Sequence, residues 1–195
     1  MTTEDDGWVP ASTPKTWEWG TRALMLAVAA TGGLTVLFLV CDLAVWYHLR
    51  SGDDDASPTL IWVVEHVDPL SLLGTALILA YLIGFFVWRH RTKEALRGYV
   101  AEPDPVLSHW SVPVWNVAIF ASVLLGLNVD TSAEDIDGMV RTVQIEAVQN
   151  GMRLAGLTVL LIGIWEIRDR VRAGIRDSGV MRRSRRTEGT IPFQS

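Results

Sequence analysis

Apolar residues gather into four near-continuous runs along the chain, at 22–49, 69–88, 106–127 and 151–167, with polar residues filling the intervals. A hydrocarbon core of roughly 30 Å takes about 20 residues of helix to cross. The first and third runs meet that length; the second and fourth lie near the lower limit of about 17 residues. The pattern predicts an all-α integral membrane protein with four transmembrane helices. It divides the chain into a disordered acidic tail at 1–20, a four-helix membrane domain at 21–168 and a basic tail at 169–195. Pro10 and Pro14 lie among Thr, Ser and acidic residues at the front, a composition that cannot bury a core. The run that follows is too long for the apolar segment of a cleavable signal peptide and reads as a retained anchor.

Two connectors carry periodicity of their own. Residues 59–67 are apolar and β-branched, between Pro58 and Asp68-Pro69; proline disfavours helix in the residue before it. This piece reads as an outer interfacial segment or a bent extension of the second helix. Ile136, Val140, Val143 and Ala147 recur at helical spacing with acids between them, which suggests an outer amphipathic helix, able to run on into the fourth span.

Charge sets the orientation. With both termini and the second connector cytoplasmic, 14 of the 17 Lys and Arg residues lie inside, as the positive-inside rule requires. The outer connectors are then acidic, with Asp53, Asp54, Asp55, Glu65 and Asp68 in one and Asp130, Glu134, Asp135, Asp137 and Glu146 in the other. Trp17, Trp19, Trp88, Trp110 and Trp165 fall at inner helix ends and Trp46 and Trp62 at outer ones, the pattern of an aromatic belt. The net charge of −5 says little as a total, because its sign is segregated by side.

Small residues predict packing. Ala76, Ala80 and Gly84 repeat every four residues in the second run, as Ala118, Ser122 and Gly126 do in the third. Such stripes let backbones approach closely in lipid, so the second and third helices are expected to form a tight hairpin. Ala29 with Gly33, and Gly151 with Ala155, mark the same spacing in the outer pair.

Chemistry is sparse. The lone Cys41 permits no internal disulfide and no CxxC motif; it reads as a packed thiol. No P-loop, GxSxG, zinc-type Cys/His spacing or dinucleotide fingerprint is present, so no catalytic residue and no cofactor is expected. Asp42, inside the first run, is the sharpest polar candidate, since an ionisable group in a membrane helix is costly. It reads either as a proton or cation group or as an interface carboxylate bonded to a neighbour. Asn116 follows Pro113, whose missing donor leaves a carbonyl to be satisfied; it reads as an interhelical contact or a pore-lining amide. His48, Glu65, His66 and Asp68 are of metal-ligand type but lack helical ligand spacing, and read as a solvated acidic loop with no metal. Glu166, four residues before Arg170, fits an i,i+4 pair. The arginines of the tail, Arg182, Arg183, Arg185 and Arg186 among them, lie beneath a membrane helix, where anionic lipid headgroups are better partners than nucleic acid.

The stretch from Trp88-Arg89-His90-Arg91 to Trp110-Ser-Val-Pro113-Val-Trp115-Asn116 resembles an actinobacterial multi-spanning membrane family, the domain of unknown function 4328 type. Trp88, Arg89 and Arg91 fit its aromatic-Trp-basic helix end, and Trp110, Pro113 and Asn116 its Trp-x-x-Pro-x-x-Asn helix. The chain departs from that pattern at Val117-Ala118-Ile119-Phe120, where an aromatic and a proline often follow. The resemblance implies a bacterial cell-membrane protein and no activity. The expected role is a non-enzymatic interaction or accessory subunit with a membrane-protein partner or as a homo-oligomer. The alternative is a small transporter or channel using Asp42 and Asn116. An enzyme with an outer metal site at His48 and His66 ranks last.

Overall fold

The computed structural model describes residues 13–51, 58–97, 99–100, 102–127 and 136–188, without the side chains of 59–60, 64 and 177–188. About 93% of these residues are helical, with no strand among them: α1 (Lys15–Ser51), α2 (Pro58–Glu65), α3 (Val67–Arg97), α4 (Pro103–Leu107), α5 (Ser111–Gly126) and α6 (Ile136–Glu188). Three of them, α1, α3 and the 136–176 part of α6, are long and apolar enough to cross a membrane. α5 is as apolar but has 16 residues, a rise of about 24 Å.

α1 starts at Lys15, inside the segment expected to be disordered. Pro14 supplies the reason: its carbonyl accepts hydrogen bonds from the N–H groups of Trp17 (3.0 Å) and Glu18 (3.2 Å), so the first turn forms at once. Residues 1–12 of that tail lie outside the described residues. α2 is the bent extension of α3. The two meet at His66, whose N–H reaches the Trp62 and Val63 carbonyls and whose ring stacks on Trp62 at 4.5 Å. Pro69 falls in the first turn of α3, where no intrahelical partner is lost. The basic tail is not a separate segment as far as Glu188, because the backbone of α6 runs through it unbroken. The side chains of Arg182, Arg183, Arg185 and Arg186 lie outside the described residues, as do Asp53, Asp54, Asp55, Asp130, Glu134 and Asp135. The helix suggested around Ile136–Ala147 is the front of α6.

α1 and α6 form the central pair, α3 packs on α1, and α5 packs on α6. The expected hairpin of α3 against α5 is absent. Their backbones stay apart, and the two helices meet through large rings, Trp115 lying 6.2 Å from Tyr81 and 5.4 Å from Phe85. The small stripes serve other neighbours. Gly84 faces Leu24 of α1, while Ala76 and Ala80 are exposed. On the other stripe, Ala118 lies against Gly156 and Gly126 against Gln149, both of α6. The pairs proposed for the remaining helices do not make contacts either: Ala29 and Ala155 are exposed, and Gly33 and Gly151 face open space. A four-residue spacing places small residues on one face but does not say which neighbour that face meets.

The core runs as one column from Leu24 and Val28 through Tyr81, Phe85, Trp88 and Trp115 to Leu160, Ile164, Val171 and Ile175. The end of this column that the charge pattern assigns to the inside, the inner end, is built with Leu96 and Leu107 and is as well buried as the middle. The remaining apolar surface, including Leu72, Ile83, Phe86, Val117 and Phe120 at 63–72% exposure, faces outward, as lipid-facing surface does. α6 is the least apolar of the three long helices, with mean hydropathy 1.4 against 2.3, because it turns Gln149, Asn150 and Arg153 toward its neighbours.

Candidate functional site

Three polar features link the helices. The first joins α1 and α3 at the inner end. Trp17 Nε1 donates to Thr92 Oγ1 at 2.8 Å, and Trp88 Nε1 donates to Thr21 Oγ1 at 2.8 Å. Each threonine donates back to the carbonyl of the tryptophan on its own helix, Thr21 to Trp17 at 2.9 Å and Thr92 to Trp88 at 2.6 Å. The result is a closed ring built from two copies of Trp-x-x-x-Thr on antiparallel helices. Trp17 and Trp88 are therefore interior residues, 5% and 4% exposed, rather than members of an aromatic belt. Trp19, Trp62, Trp110 and Trp165 are at least half exposed, as an aromatic belt would require.

The second ties α5 to α6. His109 places Nδ1 2.7 Å from Ser111 Oγ and Nε2 2.7 Å from Glu166 Oε2. The backbone N–H of Ser111 also points to Nδ1, at 3.3 Å. A carboxylate accepts at one nitrogen and two donors meet the other, which selects the Nε2–H tautomer. The connectivity is that of a Ser–His–acid triad, but the Ser111 side chain is fully buried with its Oγ against Gly163. No space beside that hydroxyl admits a substrate, so the network works as a cap on the start of α5. Arg170 stands 3.8 Å from Glu166, and the i,i+4 pair expected for Glu166 is thus secondary to its bond with His109.

The third is a cavity of about 360 Å³ in the outer half of the bundle, floored by α1 and α6 and walled by α3 and α5. Its outer rim carries the exposed Ser71, Thr75 and Val123. Its inner end is stopped by the rings of Tyr81, Phe85 and Trp115. It exists because α3 and α5 are each held elsewhere and held apart at Trp115. Most hydroxyls on its walls already donate to carbonyls of their own helices, Thr31 to Ala27, Thr35 to Thr31, Thr75 to Ser71 and Ser122 to Ile119. The main donor left is the half-buried Arg153 of α6. No carboxylate among the described residues lies within 4.0 Å of its guanidinium.

No family model, curated protein or solved structure matches the chain.

Asp42 and Asn116 are not brought together. Asp42 Oδ2 accepts a 2.8 Å hydrogen bond from Asn150 Nδ2, across α1 and α6 just outside the cavity. Asn116 is exposed on the surface of α5. Pro113 occupies the first turn of α5, where an N–H would have no partner in the helix anyway, so there is no freed carbonyl for an amide to satisfy. Of the family-type residues, Trp88 is in the clamp, Arg89, Arg91 and Trp110 are exposed, and none lines the cavity. No group of three or more His, Cys, Asp or Glu that could hold a metal occurs among the described residues. Sequence reasoning missed the paired Trp-x-x-x-Thr repeat, the His109–Glu166 link and Arg153. Two signals are present in the sequence: the repeat itself, and an arginine followed by 12 consecutive uncharged residues.

Proposed function

We propose that the protein is a non-enzymatic, multi-pass protein of the cell membrane that acts by binding, as an interaction or accessory subunit. The observation that carries this reading is the division of the bundle: hydrogen-bonded locks close its inner half, while the outer half leaves a polar groove open between α3 and α5. A closed inner half is a poor conduit, and the reading favours occupancy of the groove over passage through it. In this reading α5 is the fourth span, both termini are cytoplasmic, and the basic residues from Arg89 to Arg97 and beyond Arg168 meet anionic headgroups at the inner face. Kinship with the actinobacterial family rests on the Trp88–Asn116 motifs alone.

Native mass spectrometry of the full chain, extracted from its own membrane in mild detergent, tests the role. A defined hetero-complex is expected; the chain recovered alone or only as a homo-oligomer would refute the accessory reading. Orientation is tested separately by adding single cysteines to Cys41→Ser. A membrane-impermeant maleimide should label Ser51→Cys in intact cells and leave Arg97→Cys unlabelled, and the reverse would overturn the topology.

A further inference from the structure

We infer that the groove between α3 and α5 is a binding site for an anionic, phosphate-headed lipid of the outer leaflet, with Arg153 as its headgroup ligand. The inference rests on the proposed function, whose groove it assigns an occupant. Position comes first. Arg153 lies 13 residues before Glu166 on an unbroken helix, about 20 Å along the axis. With Glu166 at the inner boundary, Arg153 stands in the outer third of a hydrocarbon core of roughly 30 Å. An arginine there is costly unless it faces a polar cavity and meets a partner; the cavity supplies polar walls and the Tyr81 phenol near Arg153, but no anion among the described residues.

The donor count favours an anion. With Thr31, Thr35 and Thr75 already donating to their own backbones, these walls present mostly oxygen lone pairs, and the guanidinium supplies the concentrated array of N–H groups. Such a fork matches phosphate oxygens in bidentate geometry. The route favours a lipid over a free ion. Asp42, held on Asn150, and Glu146, two turns outward of Arg153 on α6, put carboxyl groups on the α1–α6 side of the approach from water. Beyond the cavity lining, α3 and α5 instead carry exposed apolar side chains, Leu72 and Leu79 on one helix and Phe120 and Leu124 on the other, along which acyl chains can lie. The volume of about 360 Å³ suits a headgroup and lies within the range of small-molecule pockets; a transmembrane helix is too large for it.

The test is native mass spectrometry of the purified full chain in detergent, titrated with phosphatidylglycerol or with diacylglycerol of the same chains, which lacks the phosphate. The wild type should retain one phosphatidylglycerol about tenfold more tightly than diacylglycerol, as expected for a charge-assisted contact. Arg153→Gln should remove that preference, Arg153→Lys should keep part of it, and Arg97→Gln, at the inner face, should keep all of it. Thr75→Phe fills the groove mouth with Arg153 in place and should also abolish retention, so the inference stays testable if Arg153→Gln does not fold. Wild-type lipid retention by folded Arg153→Gln or by Thr75→Phe would overturn it. So would displacement of the lipid by equimolar inorganic phosphate, or a protein partner whose retention, rather than the lipid's, depends on Arg153. Loss of the hetero-complex with lipid retention intact would refute the accessory role and leave the site standing.

Discussion

Replacing Thr92 by Val removes one hydroxyl from the ring that joins α1 to α3, at almost no change in side-chain volume. Two hydrogen bonds go with it: the one accepted from Trp17 Nε1 at 2.8 Å and the one donated to the Trp88 carbonyl at 2.6 Å. Trp17 is 5% exposed and Thr92 fully buried, so the indole N–H is left without a protein partner and without water. An unsatisfied buried donor costs about 1–3 kcal/mol, whereas hydrogen bonds between membrane helices average about 0.6 kcal/mol, with a maximum near 1.7. The expected loss is therefore about 1–2 kcal/mol, read from reversible unfolding in mixed micelles. Thr158→Val is the matched control. Thr158 also donates to the carbonyl four residues back, at 2.8 Å, but is exposed and bonds no other helix, so its loss should stay within about 0.5 kcal/mol. A double-mutant cycle of Trp17→Phe with Thr92→Val should give a coupling of about 0.5–1.5 kcal/mol. A Thr92→Val protein as stable as Thr158→Val, with no coupling in the cycle, would refute the clamp.

Other expectations follow from the remaining junctions. Gly163→Ala drives a methyl into Ser111 Oγ and should cost about 1–3 kcal/mol, while Gly151→Ala, facing open space, should be neutral or slightly stabilising; equal melting temperatures would contradict the α5–α6 register. His109→Ala leaves the buried Ser111 Oγ without its partner and releases the exposed Glu166 to water, and should lower stability by about 1–3 kcal/mol, seen as earlier hydrogen exchange at the start of α5; unchanged exchange there would remove the capping role. Asp42→Asn keeps an acceptor for Asn150 and should melt close to wild type, whereas Asp42→Leu should cost about 1 kcal/mol; the opposite order would mean that charge, rather than the bond to Asn150, matters at that position.

How much of this was legible follows from what each kind of signal measures. Apolar runs report side chains that lie in lipid without penalty, whichever neighbour they meet, so they placed the long helices and their approximate ends. They did not reveal that the last run belongs to a helix of 53 residues, because its flanks are polar and hydropathy falls while helix continues. Small-residue spacing identified faces on α3 and α5 but assigned them to each other, when the bulk of Trp115 between the two helices keeps them apart and sends each stripe to α1 or α6. The tryptophans show the same limit. Trp17 and Trp19 sit two residues apart at the same depth, yet one is buried and the other 73% exposed. Depth alone cannot separate them, whereas the threonine four residues after Trp17, matched by the one after Trp88, could have. Asp42 and Asn116 stand out as polar residues among apolar ones, while Arg153 lies near the edge of its run, where a charge is ordinary.

The distribution of polar groups gives the two halves of the bundle different mechanical characters. At the inner end the hydroxyl and indole groups bond between α1 and α3, and the imidazole and carboxylate bond between α5 and α6. Glu18 adds a 2.9 Å ion pair from α1 to Arg172 of α6. Each flanking helix is thus anchored to the central pair near its inner end. At the outer end the hydroxyls of Thr31, Thr35, Thr75 and Ser122 bond back to their own helices and add nothing between helices. Asp42 and Asn150 bridge there among the described residues, and they join α1 to α6, the pair already in contact. The outer ends of α3 and α5 are consequently the parts of the bundle with the weakest mutual restraint. An occupant between them can be admitted by small rotations about the aromatic stop at Trp115, without disturbing the inner locks. Hydrogen exchange offers a direct check. Protection should fall along α3 from Trp88 toward Ser71 and along α5 from Trp115 toward Val123, and a uniform profile in both helices would contradict this division.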